Sequence, residues 1–473
     1  MITLKIALRS LLRRKSRSIT IGLLVAFGTL LLVFGQTFTR SAGIASRDSI
    51  IHNFTGDLIL YSERSKEKPS PFAFNTPLPN IQEADKVRAY LQGLPEVKAV
   101  VPFAQNYALI RVQKNGKPVE LPFIFYAIEP ANYLEIFRNA EVIQGDFFGV
   151  TGAGSAVRPG ILISESQNEQ YQKNYGVSLA VGEKVTVLGL TDGGSVNAVP
   201  SELLGLFNPR YFKNVFNYIN YIDIDTYSRL YNFTGVASGS LPESLNQGLA
   251  EAAGDEDAIF GLAEDKSFGK LDLATLKSEA LSGYTMIAVQ LKDHRQVDEL
   301  IQKVSGAGLG VKGARWDQAS GFFARIAAGL QLFIFVATGL IFLIVAFIFT
   351  NTLIINIIER TSEIGTMRAI GGEKSFIRGL FMAETLLLNI PFSLLAMIVS
   401  LALIMAAGRS GLPLPDSISQ YLIGGGPLPL LLSAAPFAEA LGIVAAVSVL
   451  ATLYPIRVAT AITPLKAMGE KAA

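Results

Sequence analysis

The sequence predicts an α-helical membrane protein: four transmembrane helices, with a large mixed α+β extracytoplasmic domain between helices 1 and 2. Three observations carry this. Charged residues make up 17% of the 473, against about 25% in soluble domains. The deficit is gathered into four nearly uncharged stretches, and 18 or more apolar residues with few charges read as a membrane span. Residues 41–320, of ordinary mixed composition, separate the first stretch from the second.

Residues 1–17 carry Lys5, Arg9, Arg13, Arg14, Lys15 and Arg17 and no acid. Leu4, Leu8, Leu11 and Leu12 recur at helical spacing beside a stripe of Lys5, Arg9 and Arg13, the pattern of an amphipathic helix on the inner membrane surface. A cluster of this kind equally marks the cytoplasmic side, so the N-terminus is expected inside. Helix 1 is assigned to 18–40. Its uncharged run of about 22 residues exceeds the 7–15 of a signal-peptide core, so it is expected to remain as an anchor.

The stalk and helix 2 are assigned to 321–358. The uncharged run 326–358 would extend about 50 Å as a helix, against about 30 Å of hydrocarbon. Part of it is therefore expected to project toward the outer domain and to transmit movement. Helix 3 is assigned to 376–408, with Glu384 a turn or two inside, and helix 4 to 436–456, with Glu439 near one end. The outer loop 409–435 holds one basic residue, Arg409, whereas 359–378 holds four and the tail 457–473 three. That asymmetry places the hairpin and both termini in the cytoplasm and the large domain outside.

In the outer domain, strand-like runs cover 57–61, 97–101, 107–112, 123–128, 160–164, 183–188, 221–224 and 285–291. Helical patterns cover 81–92, 166–175 and 295–304. The Gly-, Pro-, Ser- and Asn-rich segments 64–79, 151–158, 190–218 and 232–256 read as loops. Gly308-x-Gly310-x-x-Gly313 matches a dinucleotide fingerprint as a string, but it follows a helical segment and reads as a turn. Glu251, Asp255, Glu256 and Asp257 read as a solvated loop. Asn53-Phe54-Thr55 and Asn232-Phe233-Thr234 are glycosylation sequons by pattern only.

Several function classes fall away. The chain has no cysteine, which excludes disulfides and a thiol nucleophile. His52 and His294 lie far apart, so no histidine-rich metal site is expected. A net charge of +2 gives no global argument for nucleic acid. There is no His-Glu-x-x-His string and no catalytic constellation, so no catalytic, cofactor or metal site is assigned.

The chemistry concentrates in the cytoplasmic segment 359–375. Thr361 or Ser362 is placed to cap a helix, Glu363 falls in its first turn, and Gly371-Gly372 stops it. Ile364, Met367 and Ile370 form a narrow apolar edge that would fit a partner's groove. An ordinary juxtamembrane loop is the other reading. Glu384 is costly inside a membrane. It reads either as an ion pair with Arg368 or Arg378, or as an interfacial carboxylate reaching for water. Asn351 and Asn356 are expected to hydrogen-bond to a neighbouring helix.

Glu359-Arg360-Thr361-x-Glu363-Ile364-Gly365-x-x-Arg368-Ala369-Ile370-Gly371 resembles the signature of the FtsX-like permeases. That family includes the lipoprotein-releasing and macrolide-exporting (MacB-type) ABC transporters. Met382-Ala383-Glu384, Tyr454-Pro455-x-x-x-Ala459-x-x-x-x-Pro464-x-x-Ala467 and Ala7-Leu8-Arg9-Ser10-Leu11 are similar to other family positions. Val181-Gly182-Glu183-Lys184-Val185 and Trp316 have looser counterparts in the outer domain.

The resemblance implies a permease subunit of the bacterial cytoplasmic membrane. Glu359, Arg360, Glu363, Ile364, Gly365, Met367, Arg368, Ala369, Ile370 and Gly371 would form a coupling helix on a cytoplasmic ABC ATPase. A second permease chain, identical or not, would pair with this one. ATP-driven closure would move the outer domain to export or extract a hydrophobic or envelope-associated substrate such as a lipoprotein. A non-transporting signalling subunit, activating an envelope hydrolase or sensing an antimicrobial, is the alternative. No Gly-x-x-x-x-Gly-Lys-Ser/Thr string is present, so ATP and Mg are expected in a separate partner chain.

Overall fold

Helix α1 (Lys15–Ile50) runs on past the first uncharged stretch and closes with a π-helical turn at Ile51–Thr55. The protein is described by a computed structural model covering residues 6–9, 11, 15–71, 74, 78–150, 156–191, 196–231, 234–236, 278–280 and 283–461. It divides into two units, Met1–Ser46 with Arg325–Ala473, and Arg47–Ala324.

The unit Arg47–Ala324 contains β1 (Leu58–Ser62), α2 (Ala84–Gln92), β2 (Val97–Lys114), β3 (Lys117–Ile128), β4 (Ala140–Gly145), β5 (Ile161–Ser164) and α3 (Glu165–Tyr175). It continues through β6 (Lys184–Leu190), β7 (Val196–Pro209), β8 (Ile219–Asp223), α4 (Ile224–Leu230), β9 (Thr234–Val236) and β10 (Ser278–Ala280). It ends with β11 (Met286–Leu291), α5 (Val297–Gly306) and β12 (Val311–Arg315). Among the described residues, ten strands form one sheet in the order β12-β1-β11-β2-β3-β8-β5-β7-β4, with β6 bridging β2 and β7, while β9 and β10 pair separately. The β3–β8 and β5–β7 pairs are parallel and the others antiparallel.

Two differences from the sequence reading follow from pairing. The runs 97–101 and 107–112 are one strand, because β2 pairs with β11 through its first half and with β3 along most of its length. The segment 190–218, read as a loop, contains the 14-residue strand β7, paired with β4, β5 and β6. Strands β4, β9, β10 and β12 were also not read from the sequence. Gly308 and Gly310 take positive φ in the turn from α5 to β12, as a turn requires. Asn53 is buried. Asn232 and the acids at 251–257 lie outside the described residues.

Buried polar groups hold the junctions of the sheet. Asn220 is fully buried; its amide donates to the carbonyls of Ile124 and Tyr218, and its Oδ1 accepts from Ser164 N–H at 2.9 Å. Asp223 caps α4 by accepting from Thr226 N–H at 2.9 Å and also accepts from Gly160 N–H at 2.7 Å. Both side chains satisfy donors that burial would otherwise leave unmade, each worth about 1–3 kcal/mol.

The other unit holds part of α1 and of α6 (Phe322–Glu359), then α7 (Thr361–Ala369), α8 (Lys374–Ser410), α9 (Asp416–Ile423) and α10 (Ala435–Ala461). Among the described residues three helices are long and apolar enough to cross a membrane: Ser18–Thr55, Lys374–Gly408 and Ala435–Val458. Four were expected. The expected second span lies within α6, several of whose side chains are outside the description. Of the expected N-terminal helix, residues 6–9, 11 and 15–17 are described and helical, the last three at the start of α1.

Helix packing here uses small and polar contacts. A Cβ on Gly22 of α1 would lie 2.4 Å from the ring of Phe392 on α8. Thr29 of α1 donates to Ser393 of α8 at 3.1 Å, and Asn389 of α8 donates to Ser448 of α10 at 2.6 Å. Such links draw helices together where hydrocarbon provides no hydrophobic drive.

Candidate functional site: the hairpin between α6 and α8

The chain turns twice within a few residues to place α7. Its exit is set by glycine: Gly371 takes φ +96° and Gly372 N–H returns to Met367 O at 2.9 Å. A Cβ at Gly372 would lie 2.6 Å from that carbonyl. At the entry the expected cap is not made. Arg360 occupies the N-cap with no side-chain bond to the helix backbone. The Thr361 hydroxyl donates backward to Ile358 O at 2.7 Å. It therefore satisfies the end of α6, where carbonyls lack partners. Glu363 sits in the first turn of α7, where its charge suits the helix dipole.

The base of the hairpin is a buried ion pair. Arg360 Nη1 donates to both carboxylate oxygens of Glu384, at 2.9 and 2.8 Å, and its Nε donates to Glu363 Oε2 at 2.9 Å. Arg360 and Glu384 are 5% and 7% exposed. The Phe381 ring lies 5.5 Å from the guanidinium carbon. One cation thus bridges two carboxylates against an aromatic face, which recovers part of the desolvation cost of burying charge.

The expected partners of Glu384, Arg368 and Arg378, are elsewhere. Arg378 lies six residues back on the same helix, about 120° around the axis from Glu384, and it is exposed. Arg368 Nη1 approaches the carbonyl of Thr460, at the end of α10, at 3.4 Å.

The apolar edge also turns inward. Ile364 is fully buried with Ile357, Ile377, Phe381 and Ile456, and Met367 packs against this cluster. Ile370 alone of the three points outward, 81% exposed. Gly365 is buried; Glu359, Glu363, Ala369 and Gly371 are exposed. Asn351 is exposed rather than packed on a neighbour, and the side chain of Asn356 lies outside the description. The polar link from this part of α6 is Thr350, whose hydroxyl lies 3.3 Å from Ala451 O of α10. Thr350, Asn389, Ser393 and Ser448 were not singled out from the sequence. Their only signal there was an uncharged polar side chain inside an apolar run. Among the described residues no group of acids or histidines gathers to hold a metal.

Residues 335–464, which include the hairpin and Glu384, match the FtsX-like permease C-terminal family. Residues 18–307 match the MacB-like periplasmic core domain. The chain belongs to the MacB/FtsX-like family of ABC transporter permeases. Permeases of this family work with a cytoplasmic ATPase. The mixed sheet is this permease's large domain of periplasmic-core type.

Three solved structures are similar to it. The extracellular domain of the noncanonical ABC-type transporter YknZ from Gram-positive bacteria shares 15% identity, with 55% of this chain and 99% of that one covered and a TM-score of 0.27. The periplasmic region of MacB from Actinobacillus actinomycetemcomitans shares 10%, covering 54% and 94%, with a TM-score of 0.24. A domain of a permease protein from Porphyromonas gingivalis shares 12%, covering 54% and 88%, with a TM-score of 0.27. No curated protein matches the chain.

Proposed function

We propose that this permease docks a separate cytoplasmic ABC ATPase through α7 and converts ATP-driven closure into movement of its outer domain. In this reading it exports or extracts a hydrophobic or envelope-associated substrate. The arrangement of α7 supports this. Arg360 and the Ile364 cluster bind its inner face to α8 and α10, so a push on α7 is carried to both helices rather than absorbed by a loop. On the outward face Ala369 and Ile370 are exposed and offer a surface to a partner. The chain crosses four times, with the hairpin and both termini inside, and works as a pair of permease subunits.

The test is co-expression with the cognate ATPase. Ile370→Asp, at an exposed position, is expected to abolish co-purification while the permease still inserts and folds. Unchanged co-purification and unchanged ATPase activity would sink the docking role.

A further inference from the structure

The outer loop between α8 and α10 has an apolar face that the bundle does not use. Its level in the membrane follows from charge. On α1 the stretch from Arg17 to Arg40 spans about 35 Å, on α8 that from Glu384 to Arg409 about 38 Å, and on α10 that from Glu439 to Arg457 about 27 Å. Each approximates the hydrocarbon thickness of about 30 Å. Arg40 pairs with Glu439 at 3.1 Å, which sets the outer ends of α1 and α10 at one height.

Residues 411–434 begin and end at this height and contain one charge, Asp416. The loop is built rather than slack. Leu412 and Leu428 exchange both backbone hydrogen bonds, at 2.8 and 2.9 Å, and Leu431 N–H donates to Ser41 Oγ of α1 at 2.9 Å. Leu422, Ile423, Leu428 and Leu430 face the bundle and are buried with Leu32, Val33 and Ile404. On the other side Ile418 and Tyr421, three residues apart on α9, are 49% and 44% exposed, and Leu431 and Leu432 are 44% and 57% exposed.

We propose that residues 413–432 form a cap that lies on the outer leaflet, with Ile418, Tyr421, Leu431 and Leu432 in the headgroup–acyl boundary of the phospholipid. A lipid surface fits because both ends of the loop join helices that leave the hydrocarbon there. The exposed large side chains are Ile418, Leu431, Leu432 and Tyr421, whose amphipathic ring suits that depth, while the exposed Asp416 and Ser417 at the start of α9 belong on the headgroup side. The helix α9, the Leu412–Leu428 bridge and the bond from Leu431 N–H to Ser41 satisfy part of the loop's backbone, which lipid could not. The proposal rests on the membrane reading of the family. Its readout is lipid contact alone, so its failure and a failure of ATPase docking are separate results.

The natural chain has no cysteine, so single labelling sites are available without other changes. Ile418→Cys, Leu432→Cys and, as an exposed control in the outer domain, Lys117→Cys are each labelled with a small fluorophore. The full chain is then reconstituted in phosphatidylcholine vesicles with and without brominated acyl chains. Bromine is expected to quench the labels at 418 and 432 by about twofold or more and leave 117 nearly unchanged. Quenching at 418 and 432 no greater than at 117 overturns the proposal. In that case aqueous iodide separates the causes: strong iodide quenching means the face is in water, and protection from both quenchers means that protein covers it.

Discussion

Arg360 and Glu384 stand 24 residues apart and meet at 2.8 Å in a site where both are more than nine-tenths buried. The arginine closes one end of the hairpin, at the N-cap of α7, and the glutamate lies on α8. This pair ties the hairpin to α8.

Removing one partner is expected to be severe. Arg360→Ala leaves the Glu384 carboxylate buried without its cation, a change that costs about 3–5 kcal/mol. Glu384→Gln should cost less, because Glu363 still accepts from Arg360. Thermal unfolding of the purified permease checks the order of the two. A double-mutant cycle isolates the coupling between them, and additive losses would mean the pair contributes nothing of its own.

Two isoleucines in the same helix should behave in opposite ways. Ile364→Ala opens a cavity at a fully buried position and should destabilise by about 2–5 kcal/mol. Ile370→Ala removes an 81% exposed side chain and should leave stability within about 0.5 kcal/mol. Only the second is expected to weaken ATPase binding without moving the melting temperature.

The polar link between α8 and α10 should be far weaker than the ion pair. Asn389→Ala with Ser448→Ala is expected to show a coupling near 0.6 kcal/mol, the usual size of interhelical hydrogen bonds in membranes. A cycle measured in the same detergent as the Arg360 series gives the comparison.

In the outer domain, Gly145 has φ +76°, and a Cβ there would lie 2.1 Å from Leu204 O, a backbone atom that cannot give way cheaply. Gly145→Ala is expected to lower the stability of that domain by about 1–3 kcal/mol or more. Urea unfolding followed by near-ultraviolet circular dichroism checks it.

Asp223 should give that domain a pH dependence. Burial raises its carboxyl above the ordinary value of 3.8, against the hydrogen bonds from Thr226 and Gly160. The folded state then holds the proton to higher pH than the unfolded state. The contribution of this group to stability therefore falls as pH rises through 3.8 toward the raised value, and is constant above it. Asp223→Asn should flatten that segment of the stability–pH curve. An unchanged slope would assign it to other groups.

Three of the four expected membrane helices are found among the described residues, and they were legible because an apolar run and its bounding charges are local facts. So were the glycine stop after Ile370 and the place of Glu363 in its first turn. Strand β7 was not legible: its Gly, Pro and Asn content favours a loop, and three partner strands override that preference. The orientation of α7 was hidden for a similar reason. The spacing of Ile364, Met367 and Ile370 defines an edge, but not whether α8 and α10 will cover it.

The sequence by itself determined that this chain is membrane-embedded, where its charges stop, and which short segment carries its family signature, since hydropathy and motif are written along the chain. Only the tertiary structure decided that Arg360, and neither Arg368 nor Arg378, neutralises Glu384. A carboxylate withdrawn from water takes the cation that packing brings to it; helix geometry turns Arg378 about 120° away from it, and Arg368 reaches the end of α10.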